Sequence, residues 1–243
     1  MTKNITIITI LLIIVAVGIV YLTPKKEVLA PTVEGPKPIE LCFAKIGTPN
    51  ERGFYDKYTL RMLLSGEGGV NATGELKFLP AEKDSKVGKF EGTVSAVDKK
   101  MMARTADLWW NSLAEGMREK EELKIIFGEG VANIGLGLMD YRKEDNTVVY
   151  KNPNEINYSL ALNDVACSDI TERENVESYL RANIGTLSPV KAVLGGNWNV
   201  LTYTVDLGKN TGTVTYEDGH IQEKKNFSYT INEKSEVQSM TLI

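Results

Sequence analysis

The chain has 243 residues, 42% of them hydrophobic and 25% charged, with a formal charge of −4 and a single histidine. That balance belongs to an ordinary globular protein, not a disordered one, and it leaves no basic footprint for nucleic acid. One histidine also excludes a histidine-rich zinc centre.

The first element in chain order is an uncharged apolar run from Ile5 to Leu22. As a helix rising ~1.5 Å per residue it spans about 27 Å, close to the roughly 30 Å hydrocarbon core of a bilayer. A cleavable signal has an apolar region of about 7–15 residues and then a small-x-small site. The nearest such site, Val28-Leu29-Ala30, follows Lys25, Lys26 and Glu27 and precedes Pro31, which makes an awkward peptidase substrate. A lipoprotein leader needs a cysteine soon after the run, and Cys42 lies far beyond it. Residues 1–23 therefore read as a tail and an uncleaved signal-anchor, a single transmembrane helix. Lys3 precedes the run whereas Lys25 and Lys26 follow it, so the flanking charges alone do not favour export. Large domains translocate largely regardless of such charges, and the globular part is expected on the extracytoplasmic side. Pro24, Pro31, Pro36 and Pro38 make residues 24–39 a semi-extended spacer.

Residues 40–163 read as strand, turn, strand. In "YTLRMLLS", Tyr58, Leu60, Met62 and Leu64 share one face by alternation. "GEGG" at 66–69 is a turn, and "VNATGELKFL" returns from it. "GKFEGTVSAV", "MMARTADLWW", "ELKIIFGEG" and "VANIGLGLMDY" follow, with Val148-Val149-Tyr150 closing the series. Seven or eight antiparallel strands at this spacing predict a small closed barrel or a sandwich.

Residues 164–243 change character. Thr171 and Glu174 stand at capping-box spacing, and Val176, Tyr179, Leu180, Ile184 and Leu187 then form an apolar stripe at helical spacing before Pro189. Four short strands follow, "NWNVLTYTV", "GTVTYED", "IQEKKNFSYTI" and "VQSMTLI", with Asp218-Gly219 as a hairpin signal. The fold class expected is mainly β with an α+β part: an anchor, an antiparallel barrel, then a helix with a four-stranded meander.

"TGELKFLPAEKDSKVGKFEGTV" followed by "LWWNSLAEG" resembles a family of uncharacterised bacterial envelope proteins, many of them lipoproteins. The likeness runs from about Cys42 to Met139 and implies an anchored, exported, lipocalin-like barrel with no assigned activity. This chain departs from the lipoprotein members in lacking a lipid-accepting cysteine near the apolar run.

Candidate chemistry is sparse, and no cofactor motif appears. His220 sits in "EDGHIQ" beside Glu217 and Asp218, a weak metal pattern on a hairpin turn. "GEGVANIG" is followed by a strand instead of a helix, so it is not a phosphate-binding loop. Ser188-Pro189-Val190-Lys191 has serine–lysine spacing without partner motifs, and the sequons at Asn71, Asn157 and Asn226 carry no assigned role. Trp109 and Trp110 are adjacent on one strand, so their rings point to opposite faces. The inward one could line an apolar ligand cavity, as small barrels can hold one small molecule. The charged loop with Lys83 and Asp84, together with Glu115 on the next turn, could form a rim to such a mouth.

Cys42, in the first strand, and Cys167, before the helix, could staple the start and end of the barrel. An exported compartment permits that bond, while two buried small hydrophobes are the alternative. These readings converge on a membrane-tethered binding or structural module of the cell envelope, whose partner is an apolar small molecule or an extracytoplasmic protein. Alternatives are a hydrolase using Asp84 and Glu115, or an inhibitor of a foreign envelope-degrading enzyme acting through loop 81–86.

Overall fold

Why the chain closes on itself is visible in its alternation, which puts bulky apolar groups on one side of each strand. The computed structural model describes residues 37–243; the predicted anchor and most of the proline-rich spacer lie outside them. Among the described residues no helix is long and apolar enough to cross a membrane.

The strands are β1 (Ile39–Ile46), β2 (Lys57–Ser65), β3 (Asn71–Leu79), β4 (Lys86–Val94), β5 (Arg104–Ala114), β6 (Met117–Gly128), β7 (Val131–Leu136), β8 (Met139–Arg142), β9 (Thr147–Tyr150) and β10 (Asn157–Asp164). Then come α1 (Cys167–Leu187), β11 (Asn199–Asp206), β12 (Thr211–Glu217), β13 (Gln222–Ile231) and β14 (Val237–Leu242). Strands β1 to β7 pair in sequence as antiparallel neighbours, and β10 joins β7 to β1. The result is a closed eight-stranded antiparallel barrel, which leaves no free edge on its eight strands. A four-stranded antiparallel sheet in the order β11-β12-β13-β14 completes the fold.

Several strands differ from the sequence reading. Val148 to Tyr150 form β9, which lies outside the barrel, pairs parallel with the start of β6 and carries β8 on its other side. The closing strand is instead β10, where Leu160 and Leu162 face the core. The predicted single strand "VANIGLGLMDY" breaks between β7 and β8 because the Tyr150 ring occupies that space. Its hydroxyl donates to the Gly135 carbonyl at 2.9 Å, and a Cβ on Gly137 would stand 3.1 Å from the ring.

The barrel interior is filled. Leu60, Met62, Leu76, Phe90, Trp110 and Ile125 are all buried together in it. Phe90 lies directly across from Gly74, where a Cβ would meet the phenyl ring at 2.5 Å and the Arg61 carbonyl oxygen at 2.0 Å. The same pairing recurs in the second sheet, where Phe227 stands across from Gly212. An aromatic ring laid over a glycine fills the space of the missing side chain and keeps the strands close.

α1 begins a turn earlier than the capping-box spacing predicts. Val165 N–H donates to the Cys42 carbonyl at 2.9 Å, and Cys42 is disulfide-bonded to Cys167 with Cα atoms 5.2 Å apart. These ties start the helix against β1 with no side-chain cap. Thr171 accordingly sits inside the helix, its hydroxyl donating to the Cys167 carbonyl.

Candidate functional site: a cleft between the helix and the barrel

The residues of α1 divide by period. Val176, Leu180 and Ile184 pack with Val214, Tyr216 and Phe227 of the second sheet. On another face, positions three or four apart, which share one side of a helix, meet the barrel in order. Cys167 bonds to Cys42 of β1; Thr171 accepts from Arg61 of β2 at 2.8 Å; Glu174 pairs with Lys77 of β3 at 2.7 Å; Glu177 pairs with Lys57 of β2 at 3.2 Å. The helix therefore runs along the barrel wall from one end towards the other, with the second sheet on its far side.

Between α1 and the barrel lies a cleft of about 290 Å³, near the small end of the range for ligand pockets. Ala44, Ile46, Leu79, Ile170 and Leu207 give it an apolar lining, and Lys57, Arg173 and Tyr203 stand among its polar walls. One wall is a closed polar knot. Lys57 Nζ donates to Glu177 Oε2 and lies 2.8 Å from the Tyr203 hydroxyl, over whose ring it sits at 4.7 Å. The Tyr203 hydroxyl donates to the same carboxylate, and Arg181 donates twice to its other oxygen at 3.1 and 3.0 Å.

Burial, and then the charge of Glu177, push the Tyr203 phenol far above its usual range. Burial also works against the Glu177 charge, yet the Tyr203 hydroxyl and Lys57 hold its carboxyl below the ordinary value. Burial likewise raises the neighbouring Tyr55 to about 12, with Arg173 opposing the rise. Each member of the knot is already paired with another, so it fastens helix to barrel and offers no free base. Arg173 differs. It donates to the Val205 carbonyl at 3.0 Å, and no carboxylate among the described residues forms an ion pair with it. Asp169 also lines the cleft. An apolar floor with one available guanidinium suits a small amphiphile whose head accepts hydrogen bonds.

The candidates taken from sequence fall elsewhere. Trp110 is buried in the barrel core, whereas Trp109 points outwards beneath Lys120 and Arg142, 5.2 and 5.8 Å from its ring. Trp110 packs a filled interior; its indole N–H is buried without a partner. Lys83, Asp84 and Glu115 are exposed on the β3–β4 and β5–β6 turns, which the pairing of Lys86 with Ala114 brings to the same end of the barrel. The 81–86 loop is pinned: Arg52 pairs with Glu82 at 2.5 Å and Ala81 N–H donates to Asp56 at 2.8 Å.

What sequence reasoning missed at this end is a buried charge. Glu121, which alternation alone would place inward on β6, accepts two hydrogen bonds from Lys86 at 3.0 Å and one from Ser112 at 2.5 Å. Asp218, considered beside His220 as a metal ligand, instead accepts from the backbone N–H groups of Val193, His220 and Ile221. Glu40 lies near Cys42 and Cys167, but both sulfurs are used in their own bond.

Fold and site together define a closed β-barrel carrying an α+β unit on its flank, with a small amphipathic cleft at the junction. No family model, no curated protein and no solved structure matches the chain.

Proposed function

We propose that the protein is a membrane-tethered, extracytoplasmic binding module of the cell envelope that takes a small amphiphile into the cleft between α1 and the barrel. The Cys42–Cys167 bond carries the reading, because structural disulfides persist in oxidising compartments outside the cytosol. The apolar run from Ile5 to Leu22 supplies the tether. The closed barrel is the shape implied by the resemblance to lipocalin-like envelope proteins. With its interior filled, the ligand is assigned to the outside of the wall. Asp84 and Glu115 are exposed on loops and give little support to a carboxylate hydrolase.

The test has two arms. In its own cell, the full-length chain should fractionate with membranes, yield to protease added outside, and show no reactive thiol until reduced. A soluble form beginning at Pro31, or two reactive thiols, overturns the location. For the cleft, purified full-length protein should enhance the fluorescence of anilinonaphthalene sulfonate, an apolar anion. Leu79→Trp, which places a larger side chain in the cleft lining, should reduce the enhancement without lowering the melting temperature. Equal enhancement by both proteins overturns the site.

A further inference from the structure

The β4–β5 loop breaks the rule that apolar groups turn inward. Met101 and Met102, predicted to begin a strand, stand instead on this loop with Val97 and are 53%, 56% and 54% exposed. Three large apolar side chains so placed, flanked by Lys99 and Lys100, call for a partner.

The loop is held in shape from below. Asp98 N–H donates to the Ala103 carbonyl at 2.8 Å, and the Asp98 carboxylate accepts from the backbone of Lys100 at 2.8 Å and Met101 at 3.2 Å. Arg104 donates to the carbonyls of Ser95 at 2.7 Å and Gly69 at 2.8 Å, which ties the loop to the 66–70 turn. Met102 keeps a left-handed backbone, φ 51°, a conformation that a non-glycine residue adopts at some energetic cost. A floppy loop would fold its methionines away. This one is braced to present them.

The same end of the barrel receives the chain. Strand β1 starts there, its Ile39 opposite Leu64 near the end of β2, and Val70 lies beside the loop, its carbonyl accepting from Val94 N–H. Ile39 is 57% exposed, and Val70 is exposed as well. Lys37, the first described residue, leads into β1 at this end, and the apolar run lies among the 36 residues that precede it in sequence. Glu67 and Glu129 sit on neighbouring turns, so the contact is led by apolar groups, with Lys99 and Lys100 as the basic contribution.

We propose that this barrel end is a lipid-contacting surface: Val97, Met101 and Met102 enter the headgroup region of a bilayer while Lys99 and Lys100 meet anionic headgroups. A short apolar tip with lysines beside it is the composition that partitions to such an interface. The inference rests on the tether reading, because the tether holds the loop at high local concentration beside the bilayer.

The experiment uses the full-length chain. Since the two native cysteines are bonded to each other, Met101→Cys gives a single thiol for an environment-sensitive nitrobenzoxadiazole label, and Lys83→Cys places the label at the opposite end of the barrel. In vesicles of phosphatidylcholine and phosphatidylglycerol, the label at position 101 should brighten several-fold, shift to the blue and be quenched by nitroxide lipids. The label at position 83 should stay water-like. Val97→Asp with Met102→Asp should return the first label to water. If labels 101 and 83 are equally wet while the chain resists carbonate extraction, the lipid-contact surface is overturned and the tether stands. If carbonate removes the chain, the tether reading fails instead, and a dry label on peripherally bound protein still supports the surface, whereas unbound protein overturns it.

Discussion

Glu177 gathers three partners where the helix meets the barrel. Its carboxylate receives Lys57, Tyr203 and Arg181 within the half-buried junction, and hydrogen bonds to a charged group contribute more than neutral ones. Glu177→Gln should cost about 1–3 kcal/mol near neutral pH, since it leaves Lys57 facing a weaker acceptor. The pH dependence has a definite sign. A carboxyl held below its unfolded value of about 4.3 stabilises the fold above that value, and the contribution is lost as pH falls through the lower folded value. Thermal melts in acid should therefore show a shallower loss for Glu177→Gln than for the native chain. Some loss should remain at lower pH from Asp218, which its three backbone donors lower to about 2. Identical acid profiles for the two proteins would remove Glu177 from this role. Glu177 was not legible as a site in the sequence, because Lys57 and Tyr203 come to it from strands far away in the chain.

Among the elements, β3 fits between β2 and β4 through one small residue, Gly74. At Gly74 any side chain must displace both the Arg61 carbonyl and the Phe90 ring. Gly74→Ala should destabilise at least as much as Leu60→Ala, a buried truncation worth roughly 2–5 kcal/mol. Denaturant melts of the two variants provide the comparison, and a Gly74→Ala curve overlying the native one would refute the packing argument. A series of seven or eight antiparallel strands, the helix over its apolar stripe and the four-strand meander could all be read from alternation and turns. Which strand closes the barrel could not. Both "TVVY" and "NYSLALND" have strand character, and only the pairing of β10 with β1 decides between them. The start of α1 escaped for a similar reason. Thr171 and Glu174 have the spacing of a cap, yet the disulfide and the Val165–Cys42 hydrogen bond set the boundary from outside the helix.

At the scale of the whole molecule, barrel, helix and second sheet are joined by one covalent link and a row of ion pairs along α1. The disulfide spans a sequence separation of 125 residues, and chain-entropy arithmetic gives about 5 kcal/mol for a loop of that size. Marginal domains have total stabilities of that order. Mild reduction of the folded protein should therefore lower its melting temperature sharply, and Cys42→Ala with Cys167→Ala should reproduce the reduced value. Scanning calorimetry with and without reductant decides it, and unchanged melting would mean that packing alone holds the staple's two ends together.

The placement of that bond also governs how the protein carries load. A pull applied at Lys37 enters β1, crosses the sulfur bridge at Cys42 and leaves through α1. Strands β2 to β10 lie inside the bridged loop and so bear none of it. Pulled between its termini, the oxidised chain keeps that loop in reserve, about 430 Å of contour at ~3.4 Å per residue. The barrel is thus a passenger on a short force-bearing path, able to stay closed while the chain on either side of it is strained.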